Sequence, residues 1–494
     1  MKERWLFLGL ALVLLLPIWA VDYIPTVDGP SHVYNAWVLR QYANTEEYPL
    51  FQHHYEIDWR PIPNWFGHAV LALLMFLFEP RTAEKILLTG LVFLFVFSAR
   101  FFAGSVDPER RWVGLLALPL LYNQLFQLGF YNFSFSLPFF LLAVGTWWRS
   151  RGTPGWRLAV KLNLLLLLCW FSHIVSFCVA LASIGILWLV TLRVGHWKRH
   201  LFHPLMLAPQ ALLPLWFVQQ QGGGPIPSAW SAELHRNYLM RLEVLFRFGR
   251  EELWIGMILA ALFGLLLLLT LAGKLRMGRE DGFLLLSLLA ILLYILSPEG
   301  MSGGTLLKNR LSLYPYLLLL PWLAPYVGRL GKAGRGMIMG VAVLLTVFQM
   351  AMMVHWYRLL QPDVREFLAA TEPIQPDSRV VRLLFNRGPY GVFGHLIGYP
   401  AAEKGLLDWD NYEAACGLFP VRLRPQVRKI TTEMLEARPD LMRFSEYRGR
   451  ADYVFAWGMP PDSPIAHRLT RHYLPLAESG PGRVYRRKGR GMRE

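Results

Sequence analysis

Trp5-Leu6-Phe7-Leu8-Gly9-Leu10-Ala11-Leu12-Val13-Leu14-Leu15-Leu16-Pro17-Ile18-Trp19-Ala20-Val21 is a charge-free apolar run near the start of the chain. About 20 such residues cross the hydrocarbon layer of a bilayer as a helix. Lys2 and Arg4 precede the run, and beyond it residues 22–61 carry Asp22, Asp28, Glu46, Glu47, Glu56 and Asp58 against only Arg40 and Arg60. Basic residues are retained on the cytoplasmic side of a membrane. The run therefore reads as an uncleaved signal anchor, with a cytoplasmic N-terminus and residues 22–61 as a first outer loop.

Further apolar runs follow at 62–78, 86–102, 112–128, 130–148, 158–172, 174–192, 201–218, 253–272, 283–297, 306–327 and 336–357. The loops 149–161, 193–200, 273–281 and 328–335 are rich in Lys and Arg, and they alternate with the charge-poor or mixed loops 219–252 and 298–305. With the N-terminus inside and the chain after 357 outside, the number of crossings must be odd. The basic loop 100–111 belongs inside, so one run before it stays on the outer side. Residues 62–78 fit that role, because they follow Pro61 and carry Pro63, Asn64 and His68. The alternative places 79–85 in the cytoplasm and makes 100–111 an exception. Charge bias thus predicts about 11 transmembrane helices.

Of the 494 residues, 54% are hydrophobic and 17% charged, against roughly 25% charged in soluble domains. The net charge of +16 would suggest nucleic acid in a soluble protein; here the loops absorb it, and the basic tail 483–493 lies outside, where it can rest on membrane lipid. Cys169 and Cys178 lie within apolar runs and Cys416 has no neighbour, so neither a disulfide framework nor a Cys-based metal site is indicated. The glycines at 222–227 lack the lysine and the preceding strand of a phosphate loop. After about residue 359 the composition becomes that of a soluble chain, with strand-like 378–385 and 452–457 and helix-like 431–437. The predicted fold is a polytopic α-helical membrane domain over 1–358 with a mixed α/β extracytoplasmic domain over 359–494.

Candidate chemistry concentrates just after the first crossing, in Val27-Asp28-Gly29-Pro30-Ser31-His32-Val33-Tyr34-Asn35-Ala36-Trp37. Pro30 suits a first helical turn, and Asp28 and His32, four apart, share a face if the helix begins there. A plainer account has Asp28 capping the helix and His32 at an interface.

The arrangement resembles the GT-C glycosyltransferases, multispanning enzymes that use sugars carried on polyprenyl phosphates. The points of likeness are the first crossing from the cytoplasm, the long first outer loop with an acid just beyond it, the number of crossings and the outer C-terminal domain. The resemblance implies that Asp28, with His32 beside it, is catalytic. It takes a proton from an acceptor hydroxyl of a glycan, lipid or protein as that oxygen attacks the anomeric carbon, which inverts. Many members carry another acid in the second outer loop, whereas residues 122–134 here offer Asn123, Gln124, Gln127 and Asn132. Asn123 and Gln124 are expected substrate contacts. The leaving phosphate needs cations or a divalent metal such as Mg or Mn. Lys308 and Arg310, beside Ser302-Gly303-Gly304-Thr305, are the expected cations, although snorkelling at a span end also explains them.

His173 in Phe171-Ser172-His173 is a further candidate contact, or a hydrogen-bonded interface residue. His53, His54, Glu56 and Asp58 have the residue types of a divalent-metal site or of a solvated loop. Asn386, Arg387, Tyr390, His395, Trp409 and Tyr412 mix aromatic and polar groups as sugar-binding surfaces do, or as a domain core does. Two other classes compete with an enzyme. A transporter or flippase of a lipid-linked glycan would place ionisable groups at mid-span in two related halves, and neither feature is visible. A scaffold displaying the C-terminal domain leaves the polar first loop, Lys308 and Arg310 without a purpose.

Overall fold

The computed structural model describes residues 2–192, 197–222, 224–273, 278–327, 330–428, 439, 442–447 and 449–488. Among these, four helices are long and apolar enough to cross a membrane: Pro80–Ala103, Leu201–Gln220, Glu251–Gly273 and Lys332–Ala369. Ile174–Val190 and Asp281–Leu296 are shorter apolar helices. Glu251–Gly273 buries Leu259, Phe263 and Leu266 while Leu265, Leu268 and Leu269 stay exposed. Water does not tolerate such a row, and hydrocarbon does. The molecule is a polytopic membrane protein with a folded C-terminal domain.

Several apolar runs are interrupted where proline or a polar cap intervenes. The first divides into Lys2–Leu14 and Leu16–Trp19; Pro17 cannot continue the preceding helix but fits the first turn of the next. The run 112–128, expected as one span, instead forms a 3-10 helix Pro108–Leu120 and a single turn Gln124–Gln127. Pro119 lies in the first of these, and Asn123 caps the second by accepting from the Leu125 and Phe126 amides. Residues 306–327 divide into Leu307–Leu311 and Tyr314–Val327. Within 62–78 the helix is Phe66–Leu74. At 1.5 Å per residue it rises about 14 Å, under half of a hydrocarbon layer of about 30 Å.

Two compact units emerge, one comprising Met1–Pro17 and Thr89–Val354, the other Ile18–Leu88 and His355–Glu494. In the first, Tyr131–Ser150 packs on Trp156–Ser172 and Ile174–Val190, and Asp281–Leu296 packs on Tyr314–Val327. Ser136 Oγ lies 2.5 Å from Ser176 Oγ, which lies 2.6 Å from the Tyr314 hydroxyl. This hydroxyl chain ties three helices together, as polar side chains do between helices in an apolar surrounding. Phe140–Tyr314 and Trp148–Phe283 add edge-on aromatic packing with ring centroids 5.2 and 4.8 Å apart.

The second unit is built on a five-stranded sheet in the order β3-β2-β5-β7-β6, with β2 Arg379–Leu384, β3 Leu407–Asp408, β5 Tyr453–Trp457, β6 Tyr473–Ser479 and β7 Gly482–Arg487. β2 runs parallel to β3 and β5, and β7 runs antiparallel to β5 and β6. Central parallel strands are covered on both faces and so read as continuous apolar runs, which makes Val380-Val381 and Val454-Phe455-Ala456 legible in the sequence. The expected helix at 431–437 lies outside the described residues. A separate pair joins β1 Tyr55–Ile57 antiparallel to β4 Val421–Leu423, which stitches the segment 22–61 to the C-terminal domain within this unit.

The helix Gly398–Lys404 meets the helix Gly29–Gln41 backbone to backbone: a Cβ on Gly398 would stand 2.2 Å from the Pro30 carbonyl oxygen. Only glycine permits that approach. Gly398→Ala should lower stability by about 1–3 kcal/mol, the usual cost of overpacking, read as an earlier thermal transition of the detergent-solubilised protein.

Candidate functional site

The helix Gly29–Gln41 is covered on nearly every side of its first turns: Gly29 through Ala36 are all buried, including Ser31, His32 and Asn35. Polar groups there must find protein partners, and they find them on residues 406–413. Asn35 and Asn411 exchange side-chain amide hydrogen bonds of 3.0 and 2.8 Å. The Tyr34 hydroxyl donates to the Leu406 carbonyl at 2.8 Å and accepts from the Asp408 amide at 3.0 Å. Asn411 also caps the short helix Tyr412–Cys416. Tyr412 and Glu413 are thereby aimed back at the start of Gly29–Gln41.

Asp28 holds the N-cap position, yet its side chain makes no capping hydrogen bond. The capping account fails. Its Oδ1 lies 3.5 Å from His395 Nε2 instead. His395 stacks on the Tyr412 ring with centroids 4.0 Å apart, and its Nδ1 lies 3.3 Å from an Arg382 guanidinium nitrogen. A guanidinium only donates, so Nδ1 accepts and Nε2 carries the ring proton toward Asp28. Burial, reinforced by Arg382, holds the His395 imidazole well below its ordinary pKa, so it is neutral. Burial, and then the Asp28 charge, push the Tyr412 phenol well above its usual range. Asp28 keeps 15% of its side chain exposed, enough for another molecule to reach it.

One helical turn on, His32 turns away from Asp28. Its Nδ1 lies 2.7 Å from Glu413 Oε1, and His68 Nε2 lies 2.7 Å from Glu413 Oε2. All three side chains are buried, and their donor atoms lie within 4.8 Å of one another. Burial alone would raise the Glu413 carboxyl; the two imidazoles outweigh it and hold the group well below the usual carboxylate range. Behind this layer Arg382 faces Asp410 Oδ2 at 3.6 Å and Asp408 Oδ2 at 4.0 Å, and donates to the carbonyls of Gly394 and Asp410.

The metal reading of His53, His54, Glu56 and Asp58 does not survive. Among the described residues only His32, His68 and Glu413 converge as metal-type donors. Asp58 pairs with Arg60 and Arg422. His54 is buried edge-on against Trp409, its centroid 4.5 Å away, and burial lowers its pKa to about 3. Of the expected sugar-binding set, His395 and Tyr412 join the Asp28 cluster, whereas Asn386 spends its side-chain oxygen on the Gly388 amide.

The remaining candidates belong to the other unit. Lys308 is buried and gives two ammonium hydrogen bonds, 3.0 and 2.9 Å, to the carbonyls of Tyr294 and Ile295, which end the helix Asp281–Leu296. Cations suit such a C-terminus. Arg310 lies over the rings of Phe130 and Phe133, and His173 meets Phe133 edge-on at 5.3 Å. His173 also accepts from the Val175 amide as the cap of Ile174–Val190. Gln124 accepts from the Tyr238 hydroxyl and the Asn309 amide at 3.0 and 3.1 Å, and Asn309 stands between Lys308 and Arg310 in sequence. Asn123 is committed to its cap.

No protein-family model matches the chain, and no curated protein does. Solved structures do, among them two of one protein. ArnT from Cupriavidus metallidurans in the apo state aligns over 98% of both chains at 13% identity, with a TM-score of 0.51. The same protein bound to undecaprenyl phosphate aligns over 98% of both chains at 15% identity, with a TM-score of 0.48. The chain shares its fold with ArnT. At these identities the likeness is one of fold.

Glu413 and His68 escape a reading of the sequence as a pair because 345 positions separate them. The available signal is Asp408-Trp409-Asp410-Asn411-Tyr412-Glu413, an acidic and aromatic run that begins at the end of the short strand Leu407–Asp408. The Arg382 layer offers a direct check. Arg382→Met removes the guanidinium facing two buried carboxylates and should cost about 3–5 kcal/mol. Adding Asp408→Asn should recover some of that loss, read as non-additive thermal shifts in a double-mutant cycle.

Proposed function

We propose that the protein is a membrane glycosyltransferase of the GT-C type. It moves a sugar from a polyprenyl-phosphate donor to an acceptor hydroxyl at the extracytoplasmic face, with inversion at the anomeric carbon. The chain then lies in a bacterial inner or plasma membrane with its N-terminus in the cytoplasm. The observation that carries the proposal is Asp28. It sits at the start of the outer-loop helix, makes no capping bond, retains exposure and faces the ring N–H of a neutral histidine. The shared fold is consistent with that class.

In this chemistry the acceptor oxygen forms its bond to the anomeric carbon while the bond from that carbon to the phosphate oxygen breaks. The acceptor's proton passes to Asp28, and the polyprenyl phosphate leaves with the electron pair. His395 Nε2–H faces Asp28 Oδ1 and helps to orient the carboxylate that takes the proton. Water is excluded by the packing around Gly29–Gln41, which strengthens the electrostatic contacts made there. Positive charge at the departing phosphate is the role assigned to Lys308 and Arg310. Both side chains already donate to main-chain carbonyls, Lys308 to those of Tyr294 and Ile295 and Arg310 to that of Thr305.

With purified protein and a radiolabelled polyprenyl-phosphate sugar, Asp28→Asn should reduce transfer by at least about 10²-fold, the low end of general-base contributions. The variant should remain folded in the membrane, because the Asp28 side chain caps no helix. Transfer at the wild-type rate would remove Asp28 from the mechanism.

A further inference from the structure

His32, His68 and Glu413 come from three separate elements, the helices Gly29–Gln41, Phe66–Leu74 and Tyr412–Cys416. The carboxylate uses both of its oxygens, one toward each imidazole. His68 Nδ1 lies 3.1 Å from the main-chain carbonyl of Asn64. A carbonyl oxygen can only accept, so Nδ1 carries the proton. On a neutral ring, Nε2 would then present its lone pair to Glu413 Oε2 at 2.7 Å, two electron-rich atoms face to face. A proton or a metal cation has to lie between them. It is either a proton held within a fully buried pair, or a cation shared by the three side chains.

The surroundings favour the cation. A main-chain carbonyl holding the outer nitrogen of an imidazole fixes its tautomer and orientation, as is usual for metal-bound histidine. Asn64 adopts φ 65°, a conformation rare outside glycine, and its side-chain amide is anchored on the Leu418 carbonyl at 3.1 Å. The carbonyl that meets His68 is therefore held in place. Phe419 lies 5.7 and 5.4 Å from the two imidazole centroids and closes an apolar wall.

From this geometry we infer that His32, His68 and Glu413 form a binding site for one zinc-class divalent ion, which joins the first outer loop to the C-terminal domain beside Asp28. Zinc bonds of about 2.0–2.2 Å to nitrogen and oxygen need donor atoms a little over 3 Å apart. That separation lies between the 2.7 Å contacts and the 4.8 Å outer limit of the cluster. Two imidazoles and one carboxylate form a zinc donor set, with one position left for water or another oxygen. Mg prefers oxygen ligands and keeps its waters, so the Mg expected alongside the resemblance does not suit these side chains.

The site does not rest on the sugar-transfer proposal, since metal content and spectrum report it directly. Full-length protein purified in detergent, stripped with a chelator, reloaded with Zn²⁺ and desalted should retain about one equivalent by elemental mass spectrometry. Glu413→Gln and His68→Gln should weaken Zn²⁺ binding by more than about 100-fold, beyond the 10–100-fold typical of losing an outer partner. Wild-type protein loaded with Co²⁺ should show the intense visible bands of a tetrahedral site, a readout that needs no variant. Background zinc in the wild type, a Co²⁺ spectrum equal to that of the aqueous ion, or undiminished binding in both variants would each overturn the assignment.

Discussion

Everything around Asp28 depends on the reciprocal amide pair between Asn35 and Asn411. Each amide would be costly to bury alone, and each satisfies the other. Such a pair tolerates little sliding: a shift of one residue along the helix would leave four buried hydrogen-bonding groups without matching partners. The Tyr34 hydroxyl, bridging the Leu406 carbonyl and the Asp408 amide, fixes the same register one residue earlier. With two successive residues locked, the helix carries Asp28 and His32 to set positions opposite His395 and Glu413. Apolar packing supplies the attraction between these elements, while the polar pair selects one arrangement among the many that packing alone would accept.

Buried acids gather here, and their compensation is layered. Asp408 and Asp410 are two apart across a strand end and face Arg382; Tyr412 and Glu413 follow in a helical turn and face the other way. The change of backbone between residues 410 and 412 therefore separates acids that serve Arg382 from groups that serve the helix Gly29–Gln41. Arg382 also links the layers, because it sets the tautomer of His395 and so the hydrogen that Asp28 sees. Burial pushes the Asp408 carboxyl above its ordinary value against the pull of Arg382. Loss of the guanidinium would thus be felt at Asp28 by way of His395.

What the sequence reveals and what it conceals divide along range. The strands at 379–384 and 453–457 are legible because β-branched and aromatic residues cluster there, and the apolar helices are legible from length and charge bias. Asp28 is visible because it follows the first apolar run in an acidic stretch. The three-residue pairing of Tyr55–Ile57 with Val421–Leu423 carries no local periodicity, and it is this pairing that binds the segment 22–61 into the same unit as the C-terminal domain. His68 looks like a polar mark in an apolar run, since its partner Glu413 is remote in sequence. The 3-10 stretch Pro108–Leu120 shows the opposite failure: a continuous apolar pattern predicts burial there correctly, but it cannot register the geometry imposed around Pro119.

The placement of Asp28 can be weighed against its neighbours on chemical grounds. A general base must approach a proton on another molecule, so it needs an oxygen that is neither enclosed nor neutralised by a strong cationic partner. Glu413 has no exposed side chain and has both oxygens 2.7 Å from imidazole nitrogens. Asp408 and Asp410 are buried against a guanidinium that cannot give up its charge. Of these four carboxylates, Asp28 is the most exposed, and the His395 imidazole at 3.5 Å and the Tyr412 phenol are among its neutral neighbours. Neutral donors orient a carboxylate without quenching its charge, and the long contact to His395 is a weak one. The three enclosed acids build the wall, and that rigidity is what allows the fourth to stay within reach of another molecule.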